Sequence, residues 1–166
     1  MSNPISSRRS SGIPQGSPRL LKVATRFATG VRSENKDATS RKLPAYCRCV
    51  DTFDDTTLLE LFNWDGECLR PGQELLRGRD QIGAFLQGRD RATTTRHIPS
   101  NMIVDVQGPD SATAVSCYTL LKRIPGSTPE HALKPAVLGE YHDVFRLAEG
   151  RWRIARRDTR HVFRAG

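Results

Sequence analysis

Long apolar runs are missing from this chain. No stretch approaches the roughly 18–20 consecutive apolar residues that a membrane-spanning helix needs, and with 37% hydrophobic residues and a mean hydropathy of −0.52 no transmembrane segment is expected. Cysteine is sparse: Cys47, Cys49, Cys68 and Cys117. Cys47-Arg48-Cys49 forms a C-x-C pair, but no second pair follows at zinc-site spacing, and the histidines have no regular ligand spacing, so no metal is predicted. The N-terminus lacks a secretory apolar core, which makes reduced thiols, acting as small buried hydrophobes, the expectation. A P-loop, a dinucleotide fingerprint and a serine nucleophile elbow are all absent, and no cofactor is predicted. Acid is scarce at one end only. Residues 1–42 hold nine Lys/Arg against two acids, whereas residues 43–166 hold seventeen against sixteen. The net charge of +8 therefore belongs to the tail, and the body is not expected to bind nucleic acid.

What is present divides into a tail and one domain. Residues 1–18 are rich in Ser, Pro, Gly and Arg and read as disordered. In residues 19–31, Leu20, Val23, Ala24, Phe27, Ala28 and Val31 share a helical face, opposite Arg19, Lys22 and Arg26. This describes a transit peptide, an inert extension or a basic arm equally well. A cytoplasmic location is expected, with organelle targeting through the tail as the alternative for a eukaryotic source. Residues 32–42 read as a polar linker, and the domain is placed at 43–166. Its first helix carries Leu43, Tyr46, Cys47, Val50 and Phe53, with Pro44 tolerated in the first turn. A second helix is predicted at 56–62, capped by Asp55 or Thr56, and a third after Asp80 as cap. Residues 67–70 could form a short strand between them.

From Thr93 the periodicity changes to two, with strands predicted at 94–106, 111–124, 136–147 and 151–163. Pro99 marks an edge or a bulge. Helices followed by a meander of long strands imply an α+β fold. On the first long strand, strict alternation puts His97, Asn101, Ile103 and Asp105 on one side and Ile98, Met102, Val104 and Val106 on the other. A histidine among polar groups can act as general base near neutral pH, or can simply be structural, bonded to Asn101 or a backbone carbonyl. Trp64, Phe85, Tyr118, Tyr141 and Trp152 read mainly as core, with Trp64 and Tyr118 the best candidates to line an apolar pocket. The terminal arginines, Arg151 to Arg164, read as a solvated face or a subunit interface.

Four segments, in order, resemble the SnoaL-like branch of the nuclear transport factor 2-like superfamily: Tyr46-Cys47-Arg48-Cys49-Val50-Asp51 followed by Asp54-Asp55; Gly78-Arg79-Asp80-Gln81-Ile82; Thr95-Arg96-His97 with Asn101; and Gly139 to Phe145 followed by Gly150 to Ala155 and Arg157. The resemblance implies a cone-shaped, strongly curved antiparallel sheet wrapped around N-terminal helices, a cystatin-like α+β barrel with a pocket at its open end. It also implies a catalytic set. Dehydratase-like members place a histidine at the position of His97 and a tyrosine and aspartate at the spacing of Tyr46 and Asp51. Spacing alone leaves Tyr46 open as a packing residue and Asp51 as a helix-end residue or a partner for Arg48, since five residues span about 140° of helix.

Two departures from the family stand out. Its first helix usually extends further upstream than Pro44 allows, and its histidine is often oriented by an acid on the next strand, where Cys117, Tyr118 and Thr119 stand instead. Asp105, Glu140 and Asp143 are the possible substitutes. The expectation is a cofactor-independent lyase or isomerase, dehydratase-like, acting on an apolar oxygenated substrate through His97, Asp51 and Tyr46, with Asn101, Tyr118, Trp64 and Tyr141 contacting the ligand. The alternative is a non-catalytic binding or assembly subunit resembling the β subunit of ring-hydroxylating dioxygenases. A homo-oligomer, dimer or trimer, is expected in either case.

Overall fold

The computed structural model describes residue 30 and residues 32–123 and 133–165. Most of the segment 19–31, the Pro125–Pro129 break and His131 lie outside the described residues. Helix α1 covers residues 32–40, and a turn at Arg41 leads into α2, Lys42–Thr52. Helix α3 is Asp55–Glu60, followed by strands β1, Phe62–Leu69, and β2, Leu76–Arg77, and helix α4, Gly78–Gln87. The long strands are β3, Thr95–Val106; β4, Ser111–Arg123; β5, Leu133–Ala148; and β6, Arg151–Arg164. They form one six-stranded sheet in the order β2-β1-β6-β5-β4-β3. The pairing is antiparallel throughout except that β1 runs parallel to β6, so the sheet is mixed rather than purely antiparallel.

Residues 32–40 are helical although they read as a linker. The contacts that hold them are polar, which is why no apolar stripe announced them. Thr39 is completely buried, the Trp152 indole N–H donates to Asn35 Oδ1 at 3.2 Å, and Arg32 donates to the Val106 carbonyl at 2.7 Å. The family's upstream helix is therefore present, and Pro44 sits in the first turn of its continuation, α2, where its missing N–H breaks no bond. Phe53 closes α2 in the left-handed region at φ 57°. Asp54, rather than Asp55 or Thr56, caps α3 by accepting from the Thr57 N–H at 3.0 Å. Asp80 lies inside the first turn of α4, where its charge favours the helix N-terminus, and Arg77 holds the cap position.

Phe62 belongs to β1, not to the preceding helix. The Ile154 N–H bonds the Leu61 carbonyl at 2.7 Å and Phe62 pairs with Ile154, so a contact from 92 residues downstream overrides the local helical pattern. Both Phe62 and Ile154 are fully shielded from solvent. They anchor the main core with Leu58, Ile82, Leu86 and Phe145, each such burial stabilising by about 1.5–3 kcal/mol. A second cluster of Leu43, Cys47, Tyr118, Val137 and Tyr141 fills the other end of the sheet's concave face.

Alternation along β3 breaks at Asn101. Its φ is 48°, and the register with β4 shifts between Ser100 and Ile103. Asparagine tolerates this left-handed conformation better than most residues, and the extra residue reverses which side chains face inward. His97 consequently shares the concave face with Met102, Val104 and Val106, while Ile98 and Ile103 are exposed and Asn101 points to solvent.

Gly139 on β5 has no room for a side chain. A Cβ there would lie 2.5 Å from the Arg160 carbonyl oxygen and 2.6 Å from the Tyr118 ring. Gly139→Ala is expected to destabilise by about 1–3 kcal/mol, measured by urea unfolding, and to displace the Tyr118 ring from its packing.

Candidate active site

Asp51 sits in the last turn of α2, and α2 packs across β3. Its carboxylate is fully occupied by that strand. Oδ2 accepts from the His97 backbone N–H at 2.8 Å, and Oδ1 accepts from the Thr95 hydroxyl at 3.0 Å and lies 2.6 Å from His97 Nδ1. A carboxylate only accepts, so Nδ1 carries the proton and Nε2 keeps its lone pair. The acid that orients His97 therefore comes from the helix, not from the next strand. The three possible substitutes are occupied otherwise: Asp105 lies 3.9 Å from Arg32, Glu140 lies 2.9 Å from His142 Nε2, and Asp143 binds Arg157.

His97 lines a cavity of about 410 Å³ between the concave sheet face and helices α2 to α4. Burial lowers the His97 pKa below the usual 6.5, while the bond to Asp51 and its charge act in the opposite direction. The ring is thus neutral at pH 7 and able to take a proton. Tyr46, Tyr118 and Tyr141 line the same cavity. Burial raises the pKa of all three phenols, that of Tyr118 to about 12, so each remains an O–H donor at neutral pH.

The tyrosines form a connected stack. Tyr118 lies over Tyr141 at 4.3 Å between centroids, Tyr46 meets Tyr141 edge-on at 5.9 Å, and His97 is 5.9 Å from Tyr118. Beneath them is a group that the charge pattern had put on a solvated face or a subunit interface. Arg157 of β6 is fully buried, with its guanidinium carbon 3.8 Å from the Tyr46 centroid and 4.4 Å from that of Tyr141. It donates from Nε and Nη2 to the two oxygens of Asp143 at 2.8 and 2.7 Å. Burial disfavours its charge, but Asp143 more than offsets this and holds the guanidinium protonated.

Of the residues singled out from sequence, the fold brings His97, Tyr46, Tyr118 and Tyr141 to one cavity wall, with Asp51 behind His97. It does not bring Trp64 or Asn101 there: Trp64 is 73% exposed on β1, and Asn101 is turned outward by the bulge. Sequence reasoning missed Arg70 and His161, which also line the cavity, and the Asp143–Arg157 pair. A signal for the pair existed. Asp143 alternates with Tyr141 and Phe145, so an acid occupied an apolar strand face and required a cation opposite. Among the described residues, no three His, Cys, Asp or Glu side chains cluster as a metal site, and no helix is long and apolar enough to cross a membrane.

Comparison with known proteins places this fold. The profile of the SnoaL-like domain matches residues 31–158. The chain belongs to the SnoaL-like domain family. The match begins at the start of α1, in agreement with the helical contacts of residues 32–40. The SnoaL-like fold is shared with an NTF2-like protein of cystatin-like fold from Novosphingobium aromaticivorans, at 22% identity and a TM-score of 0.71, covering 90% of this chain and 92% of that one. It is shared too with a provisionally assigned scytalone dehydratase from the same organism, at 23% identity and TM-score 0.70, covering 82% and 90%. A protein from Catenulispora acidiphila, solved in complex with S-DNPA, has 17% identity and TM-score 0.66, covering 78% and 94%. No curated protein matches the chain.

Proposed function

We propose that this SnoaL-like protein is a cofactor-independent lyase or isomerase, dehydratase-like, whose general base is His97. The observation that carries the reading is the Asp51–His97 pair at the wall of a cavity sized for a small molecule. Asp51 fixes the tautomer and the ring orientation, and Nε2 accepts a proton from a carbon next to a carbonyl. The C–H electron pair moves into an enolate whose oxygen is stabilised by a tyrosine O–H, with Tyr46 the assigned donor. In an elimination the enolate collapses and expels a β-hydroxyl, which takes the proton from the imidazolium and leaves as water. In an isomerisation the imidazolium returns the proton to a different carbon. Tyr118 and Tyr141 supply the flat apolar wall against which such a substrate packs. Likeness to the provisional scytalone dehydratase supports this class of chemistry. The test is deuterium exchange of the α-protons of 1-tetralone in D₂O, followed by proton NMR. Wild type is expected to accelerate exchange and His97→Asn to abolish the acceleration; acceleration that survives in the variant rules out His97 as the base.

We also propose self-association through the sheet's outer face. Ile98, Thr119, Leu138 and Phe163 are successive cross-strand neighbours on β3 to β6, and Ile98, Leu138 and Phe163 are 52, 40 and 67% exposed. An exposed row of this kind, apolar except at Thr119, marks an interface. Phe163→Asp is expected to convert a dimer or trimer to monomer in sedimentation velocity; a monomeric wild type would refute the assignment.

A further inference from the structure

Arg70 follows directly on β1, and its guanidinium carbon lies 4.6 Å from the centroid of the Phe85 ring on α4. Both residues line the cavity. Stacking on a ring face holds a guanidinium in place while leaving its N–H edge free to bond. Most acids at this end of the molecule are committed elsewhere. Asp55 takes Arg89 and Arg91, Glu67 takes Arg77 and Arg156, and Asp90 accepts from the Ala92 N–H and the Thr93 hydroxyl. Asp51 is occupied by β3. Among the described residues, Arg70 therefore has no carboxylate at ion-pair distance. Burial is the leading influence on the titration of His97, Tyr118 and His161, and the Arg70 charge acts on all three, favouring their deprotonated forms.

A second group in the same cavity is also unmatched. His161 of β6 lines it, and its Nδ1 is shielded from solvent without a hydrogen-bond partner. Burial lowers the pKa of this imidazole, so at pH 7 it is neutral and can donate one N–H. A half-buried cation without an acid and a shielded ring nitrogen without a partner are both open to a group from outside the protein.

Resting on the proton-transfer reading for the chemistry, we propose that the substrate carries a carboxylate at one end, bound by the Arg70 guanidinium with His161 beside it, while its apolar body lies along Tyr118 and its reacting carbon meets His97. The substrate class thereby narrows from an apolar oxygenated molecule to an amphipathic acid. Charge does two things here. It fixes which end of the molecule enters toward His97, and by neutralising Arg70 it makes His97 a stronger base once substrate is bound.

Calorimetric titration of the full chain with 2-naphthoate and with 2-naphthylmethanol, which share a ring system and differ in charge, tests the assignment. The carboxylate is expected to bind roughly tenfold or more tightly than the alcohol, with a preference that shrinks at high salt. Arg70→Gln is expected to make the two probes bind alike, Arg70→Lys to keep part of the preference, and His97→Asn to keep it all. In wild type, NMR titration of His97 is expected to move to higher pH with naphthoate and to stay in place with naphthylmethanol, a readout that needs no variant to fold. Equal binding of the two probes, binding of neither, a preference that survives Arg70→Gln, or an unmoved His97 titration would each overturn the carboxylate site. Loss of tetralone exchange with the preference intact would sink only the proton-transfer reading, and the converse only the carboxylate site.

Discussion

Asp143→Ala is expected to destabilise the fold by about 3–5 kcal/mol, a large part of the roughly 5–15 kcal/mol that holds a domain together. The alanine leaves Arg157 fully buried with its charge unopposed, between two tyrosine rings that cannot neutralise it. Asp143 is itself only 3% exposed, so solvent does not screen the loss. In urea the transition midpoint falls, and thermal melting drops by on the order of 10 °C. Removing the other partner is less severe if shape is kept. Arg157→Met still fills the slot between Tyr46 and Tyr141 but leaves Asp143 without its cation. The double variant Asp143→Leu with Arg157→Met is expected to recover most of the lost stability, since a buried ion pair is often replaceable by apolar groups of similar volume. If Asp143→Ala unfolds within about 1 kcal/mol of wild type, water or local rearrangement relieves Arg157 and the pair is not a structural linchpin. The double-mutant cycle measures the coupling directly.

That pair also shows where sequence periodicity stops being informative. The turns between β3 and β4 and between β5 and β6 were legible because their residues have local reasons to be there. Glu149 and Gly150, at φ 52° and 70°, make the tight connection between β5 and β6 that a Glu-Gly step suggests. Tyr46, Asp51 and His97 were legible through the resemblance to a family pattern, and the structure shows what the spacing alone could not: Asp51 reaches His97 because α2 lies across β3. Asn101 and Trp64 show the opposite case. Strict alternation placed Asn101 beside His97, but one extra residue at the bulge reversed the parity of β3 beyond it. Trp64 is large and aromatic and has the same strand parity as the buried Phe62, yet it is exposed, because the register of β1 against β6 shifts between Phe62 and Glu67. Helix α1 was invisible for another reason, since a hydrogen bond from the Trp152 indole to Asn35 and one from Arg32 to the Val106 carbonyl dock it where an apolar stripe was expected. Polar docking and bulges are set by partners distant in sequence, and a one-dimensional pattern does not contain them.

His97→Asn is expected to lower turnover by about 10²–10⁴-fold, the usual worth of a positioned general base. Asp51→Asn keeps the volume but removes the charge and leaves one accepting oxygen where the carboxylate has two, so the NH2 group faces either the His97 backbone N–H or its Nδ1, and its effect is more informative. In wild type, activity is expected to rise with pH through an apparent pKa below 6.5, because burial depresses His97 and only its neutral form accepts a proton. Both contributions of Asp51, the hydrogen bond and the charge, favour the protonated ring. Their removal moves the acid limb to still lower pH while the plateau falls, since a weaker and poorly oriented base is left. A limb that moved upward, or a plateau unchanged, would show that Asp51 neither tunes nor orients His97. Stability carries the same signature. Between its depressed folded pKa and the ordinary 6.5, His97 is protonated in the unfolded chain but not in the folded one. The unfolded state binds the extra proton, so the contribution is fully favourable above the ordinary value and is lost as pH falls through that window. His97→Asn removes this dependence. Wild type and variant unfolding free energies are thus expected to differ by an amount that changes between neutral and mildly acidic pH and is constant above it.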